Sequence, residues 1–559
     1  MNHKGLKIFT TMFLLLTAGS AGLAQQKVIK DNNTISKVWV ADQGDGTYKN
    51  PILHADYSDP DICKVEDDFY MTASSFNAAP GLPILHSNDL VNWKLISYAL
   101  DRQEPLAHFS TPQHGNGVWA PAIRHHQGEF YIYWGDPDFG IYMVKAKDPA
   151  GPWEEPVLVQ EGKGLIDPCP LWDDDGKAYL VHAFAGSRAG IKSILVVNKM
   201  SPDGTKLLDE GTIVFDGHVA HPTVEGPKFY KRNGYYYMFA PAGGVSTGWQ
   251  LVLRSKNVYG PYEERIVMDQ GSTNINGPHQ GGWVSLESCE SWFIHFQDKE
   301  AYGRIVHLQP MKWINDWPVI GEDKDGDGKG QPVMSHKKPD VGKNYPVATP
   351  PESDEFEGTA LGLQWQWHAN PKVTWAFTAG PKGFLRLFTD QMPPDAKNLW
   401  DVPNLLLQKF PAEEFTATTK LSFYPNEKLK NERVGLIVMG ESYAHLSLVS
   451  KEDGVYLAYT TVANADKGTP EKEELLGKLK GDEVYLRVKV DKGAKCHFSY
   501  SQDGSKYKTV GRPFTAAVGR WIGAKVGIFA TRLDKINDSG YADFDWFRIH
   551  PESTKLTKN

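Results

Sequence analysis

The sequence predicts an all-β protein, a five-bladed β-propeller followed by a β-sandwich, and three observations carry that prediction. A polar turn followed by an aromatic-rich strand recurs five times, with an acidic residue just before the strand in three of them. Short apolar runs alternate with turn residues, and no long stretch of 3.6-residue amphipathic period follows the first 25 residues. The composition agrees, with 53 glycines, 36 prolines and 12% aromatic residues in 559, so helices are expected to be minor.

The five segments begin at Asp59, Trp119, Asp167, Glu225 and His279, and their second strands begin near Phe69, Phe130, Tyr179, Tyr235 and Trp292. The step is roughly 50 to 60 residues, the length of one four-stranded blade. A sub-repeat, Asn88-Asp-Leu-Val-Asn-Trp, Asp148-Pro-Ala-Gly-Pro-Trp and Asn257-Val-Tyr-Gly-Pro-Tyr, marks the turns between outer strands. The polar insertion 101–117 is long for a propeller loop, a length that usually signals function.

Residues 1–24 combine a basic start (Lys4, Lys7), an apolar run and small residues Gly22 and Ala24, the layout of a signal peptide. No cysteine closes that segment and no later apolar run is long enough to span a bilayer, so a soluble periplasmic or secreted protein is expected. The propeller is placed at 45–335, a Pro-rich linker at 336–352 and the sandwich at 353–552, where strands alternate without the propeller period. Pairing of the first and last sandwich strands would bring Asp354 near Asp545, where either a structural calcium or capped carboxylates would fit. The acidic run Asp323, Asp325, Asp327 resembles half of a calcium loop, but position twelve is Met334 instead of Glu, which favours a solvated turn.

A net charge of -8 and no Lys/Arg-rich block exclude the electrostatics of nucleic-acid binding, and a neutral ligand is expected instead. The cysteines Cys63, Cys169, Cys289 and Cys496 lack metal-ligand spacing and are read as buried thiols.

In a propeller the innermost strands line the axis, so Asp59, Asp167 and Glu225 are expected to converge at one mouth. Carboxylates so close raise one another's pKa and separate their protonation states. Glycosidic bond cleavage needs that division: one carboxyl protonates the leaving oxygen and one carboxylate activates water. A single Asp-Pro or Glu-Gly is as well explained by a turn; recurrence in several blades is what favours a site. Trp119 and Phe76 are expected to wall a sugar pocket, with a core role the alternative for Phe76.

These residues carry a resemblance. Asn50-Pro-Ile-Leu-His-Ala-Asp-Tyr-Ser-Asp-Pro-Asp-Ile, Val118-Trp-Ala-Pro, Leu165-Ile-Asp-Pro, Val224-Glu-Gly-Pro-Lys-Phe-Tyr-Lys and Gly303-Arg-Ile-Val-His-Leu-Gln-Pro resemble glycoside hydrolase family 43, among its β-xylosidases and α-L-arabinofuranosidases. Asp354-Glu-Phe-Glu-Gly and Leu363-Gln-Trp-Gln-Trp are similar to the concanavalin A-like, lectin-like sandwich appended to those β-xylosidases. The resemblance implies Asp59 as general base, Glu225 as general acid and Asp167 as the group that orients the acid and keeps its pKa up. The base segment departs from the usual Pro-Asp-Pro-Ser, which makes Asp61 a second candidate, less favoured because it enters the strand. Arg304 would contact sugar and base, and His279 would lie near the axis, where family members often hold a water-coordinated calcium. The implied enzyme is an exo-acting, inverting hydrolase of xylo-oligosaccharides, or an arabinofuranosidase on arabinoxylan or arabinan. Base and acid would stand about 6.5 to 9.5 Å apart. It needs no cofactor; calcium would be structural, and no metal-binding residue is assigned. The sandwich would help close the pocket, favouring short chains. A carbohydrate-binding protein without catalysis is the remote alternative. The sequence assigns no oligomeric state.

Overall fold

The computed structural model describes residues 35–551; the predicted signal peptide lies outside them. Five four-stranded antiparallel sheets, each with its strands side by side in chain order, surround one axis. Their innermost strands are Asp61–Val65, Trp119–His126, Leu165–Trp172, Lys228–Arg232 and His279–Ser285. The second strands begin at Asp68, Glu129, Ala178, Tyr235 and Ser291, within a residue of the positions expected. Among the described residues the one α-helix is a single turn, Gly186–Ala189.

Apolar side chains pack between successive blades, where each fully buried one contributes about 1.5–3 kcal/mol. Ile84 meets Phe130 and Ile132 between the first two blades, Val181 meets Phe229 between the third and fourth, and Ile62 and Phe69 meet Trp292 and Ile294 where the ring closes. Closure is reinforced by a Leu53–Val306 bridge and by pairing of Thr47–Lys49 with Ser335–Lys337. That pairing takes the first residues of the expected 336–352 linker into a strand. The remainder is tethered as well: Ala348 N–H donates to Asn92, and Ser36 bonds Thr349 and Glu352.

Two eight-stranded sheets form the sandwich. Its first segment and last strand pair through Asp354 and Phe547, as alternation suggested. The Asp354 carboxylate, however, accepts from Phe356 N–H, Gly362 N–H and Trp365 Nε1, while Asp545 faces Lys420 at 2.7 Å. Both acids therefore already have protein partners. Asp323, Asp325 and Asp327 lie within 4.8 Å of one another, with carboxylates that accept from amides of their own turn.

The two parts share hydrogen bonds. Ala79 and Trp367 exchange backbone bonds, and Tyr302, from the last blade, enters the sandwich core and bonds Glu413 O and Ala494 N–H. The insertion 101–117 docks on the sandwich too: Gln103 and Asn370 bond reciprocally, and His114 stacks on Trp400 at 3.6 Å. Three cysteines are buried thiols, but Cys289 is exposed, because it sits in the turn before Ser291–Asp298 and not on a strand. No described helix is long and apolar enough to cross a membrane.

Candidate active site

Three innermost strands are interrupted near their start, the other two begin only at Asp61 and Lys228, and these irregular starts build the site. In the second blade Trp119 pairs with Gly135 and Ala122 with Tyr133, which leaves Ala120 and Pro121 opposite Trp134 alone. The third blade skips from Ile166 to Cys169 and the fifth from His279 to Gly281. Ala120, Asp167 and Gln280 occupy the breaks and Asp59 and Gly226 stand two residues before their strands, all with positive φ, of 31°, 57°, 39°, 51° and 58° in that order. All but Gln280 precede proline, which has no N–H to give to a ladder. For the non-glycine residues the left-handed backbone costs about 1–3 kcal/mol each, a strain that the packed blades hold in place.

This register corrects one expectation. Asp59 and Asp167 are equivalent, but the residue equivalent to them in the fourth blade is Gly226. Glu225 is one position earlier, in the ring with Ser58, Trp119, Ile166 and His279. Recurrence thus placed two carboxylates, and the third reaches the same cavity from the neighbouring ring.

All three carboxylates line a cavity of about 450 Å³, within the range of small-molecule pockets. Asp59 is buried and densely bonded: Ser74 Oγ donates at 2.6 Å, Ser58 Oγ at 3.0 Å and Arg304 Nη1 at 3.0 Å. Arg304 Nη1 also donates to Ser58 Oγ at 2.7 Å, and Ala120 N–H fixes Ser74 Oγ at 2.8 Å. Asp61, the second candidate, is turned away. It is fully buried in the axis, where Arg124 (2.6 Å) and Ile123 N–H (2.8 Å) bond it, and it does not line the cavity.

The opposite side is sparser. Glu225 is 23% exposed, and His279, fully buried, stands 3.0 Å from its Oε1. Asp167 accepts from Gly226 N–H at 2.7 Å and so holds the peptide next to Glu225. Burial pushes the Asp167 carboxyl well above the usual range, and the Glu225 charge adds to the effect. Asp167 therefore retains a proton where a solvated carboxyl would lose it.

Phe76 and Trp119 both wall the cavity, as expected, and Phe76 is also held in the blade by its bridge to Val118. Phe184 adds a third aromatic, and the fourth, Trp521, comes from the sandwich, with its ring 6.5 Å from that of Trp119. Sequence reasoning missed Trp521, Phe184, Ser74, Gln280 and Lys192. The run Thr72-Ala-Ser-Ser-Phe, at the end of a strand beside Asp59, could have indicated Ser74; Trp521 stands in a loop without any pattern.

The chain is similar to known proteins along both of its parts. The sequence model "Glycosyl hydrolases family 43" matches residues 48–318, and "Beta xylosidase C-terminal Concanavalin A-like domain" matches 353–550. A putative β-xylosidase of Xylanibacter ruminicola is 41% identical over 89% of each chain. A non-reducing end α-L-arabinofuranosidase of Bacteroides ovatus is 30% identical, with 90% of this chain and 94% of that one covered. The crystal structure of xylan β-1,4-xylosidase from Bacillus halodurans superimposes with a TM-score of 0.79 at 25% identity, over 90% of this chain and 99% of that one. Identity sustained across both propeller and sandwich, together with the carboxylates in one cavity, makes this chain a member of glycoside hydrolase family 43.

Proposed function

We propose that the enzyme is an exo-acting, inverting hydrolase that releases terminal xylose from β-1,4-linked xylo-oligosaccharides. The observation that carries this reading is the unequal environment of the two outer carboxylates in one cavity. Asp59, surrounded by donors that stabilise its charge, would act as general base on a water. Glu225, partly exposed, with one imidazole neighbour and the buried Asp167 bonded to the next peptide, would protonate the leaving oxygen. Asp167 orients Glu225 through the Gly226 amide, and Arg304 holds Asp59 and reaches the sugar. Asp61 and Arg124 fill the axis beneath, and Trp521 stands over the mouth, which favours chain ends over polymer. Acid and base both come from side chains, so the proposed chemistry uses no cofactor, and any calcium would be structural. The sequence of residues 1–24 supports export to the periplasm or medium.

Removal of α-L-arabinofuranose is the second reading, favoured by the relative from Bacteroides ovatus. Paired assays on 4-nitrophenyl β-D-xylopyranoside and α-L-arabinofuranoside, then xylobiose and arabinoxylan oligosaccharides, separate the two. Xylose release is expected to dominate, and arabinose release alone would move the assignment. The anomer first formed, followed by NMR, tests inversion.

A further inference from the structure

We propose that Asp56 is a positioning residue: its carboxylate couples the seating of the sandwich loop 519–523, and hence the Trp521 wall, to the placement of Arg304 against Asp59. The proposal rests on the reading of the cavity as a glycoside site.

Asp56 is buried three residues before the proposed base and does not line the cavity. One oxygen accepts from Arg304 N–H at 2.9 Å and the other from Gly523 N–H at 2.9 Å. The first bond fixes the main chain of the residue whose guanidinium grips Asp59 and Ser58. The second fixes a sandwich amide two residues beyond Trp521. A single carboxylate thus spans the interface between the two parts of the protein.

The surrounding packing leaves this bridge little freedom. Gly303, at φ 74°, lies so close to Asp56 that a β-carbon there would overlap its carboxyl carbon. A β-carbon on Gly523 would come within 2.5 Å of Gly303 N. Next in the chain, Ala524 N–H donates to Ala301 O at 2.7 Å. The loop also presses on the insertion 101–117, where a β-carbon on Gly115 would meet Arg520 at 2.5 Å and Trp521 at 2.9 Å.

Charge complements geometry. Lys409 and Lys525 are direct cross-strand partners on the sandwich, Lys525 buried and Lys409 half-buried, and Lys409 Nζ lies 5.2 Å from the ring of Tyr57, the neighbour of Asp56. Burial pushes both amines down, Lys525 to about 7, and the Asp56 carboxylate is the charge that opposes this in each. Two like charges side by side, largely shielded from water, are unfavourable unless an anion faces them. Asp56 supplies that anion from the propeller side. An asparagine there would keep the shape, lose the charge, and offer one oxygen in place of two for the two amides.

The test uses the full chain and Asp56→Asn, with Trp521→Ala as the second variant, since the half-exposed indole can be removed without emptying a core. Xylobiose kinetics should show a rise in KM and a fall in kcat/KM of about 10- to 100-fold for Asp56→Asn. The Trp521→Ala change, expected mainly in KM, should add little in the double variant, because a displaced loop has already withdrawn the wall. Hydrogen exchange read by mass spectrometry should accelerate in Asp56→Asn at both 303–306 and 519–525, and not at 433–439. Kinetics of Asp56→Asn within twofold of wild type, effects of the two substitutions that simply multiply, or unchanged exchange at either segment would overturn the proposal. Wild type inactive on every glycoside would instead sink the functional reading, and the exchange data would still test the bridge.

Discussion

The two sides of the cavity are built on different principles. On the Asp59 side a carboxylate is buried with three side-chain donors, one a guanidinium, and the second serine of the set is itself fixed by Ala120 N–H. On the Glu225 side the carboxyl is a quarter exposed, with one imidazole at 3.0 Å and a buried acid nearby. A group that must stay ionised gains from convergent donors. A group that must carry and then release a proton gains from a neighbour that competes for charge. The proposed division of labour follows from that asymmetry, although both residues stand just before an innermost strand.

The largest expected effects break each side separately. Glu225→Gln keeps the shape and removes the proton, so turnover of xylobiose should fall about 10²- to 10⁴-fold, with a smaller loss on an activated aryl xyloside, whose leaving group needs less protonation. Asp59→Asn should cost a similar factor on both substrates, because activation of water does not depend on the leaving group. Equal losses on both substrates for Glu225→Gln would contradict its role as acid.

Asp167→Asn sharpens the comparison through pH. A carboxyl whose pKa is raised in the fold binds its proton more tightly there than in the unfolded chain. It destabilises the protein progressively as pH rises from the unfolded value, near 3.9, through the raised one. Asparagine removes that burden, so the variant should melt at a higher temperature near neutral pH, with a smaller loss of stability between pH 4 and 7. Activity should nevertheless drop about tenfold or more, since an amide holds the Gly226 N–H beside Glu225 less tightly than a carboxyl does. A melting temperature that falls would refute the buried, strained account of Asp167.

The smallest effect is expected from Ser74→Ala. It removes one of three donors to Asp59, worth about 1 kcal/mol, so kcat/KM should fall about fivefold with little change in KM for xylobiose. A loss as large as that of Asp59→Asn would mean that the serine acts on the substrate itself.

Much of this architecture was legible in the chain. The five strand starts were placed within a residue, because the aromatic runs and the polar turns before them are local features that each blade repeats. Asp59, Asp167, Glu225, Trp119, Phe76 and Arg304 all line the cavity, and His279 stands behind Glu225. Equivalence among the three acids was misjudged by one position, since a bulge is a property of pairing between strands and leaves only a residue before proline as its trace. The exposed Cys289 and the strand at the start of the linker were missed for a similar reason: each depends on what lies beside it.

By itself the sequence determined the blade count, the sandwich, the family and the residue types that can do acid–base chemistry, because period, turn residues and motifs are short-range. Only the tertiary structure decided that Asp61 belongs to Arg124 and not to the site, that Asp167 grips the peptide beside Glu225, and that Asp56, Gly303 and Gly523 meet at one point. These contacts join residues tens to hundreds of positions apart, and closure of the propeller ring against the sandwich is what brings them within hydrogen-bonding distance.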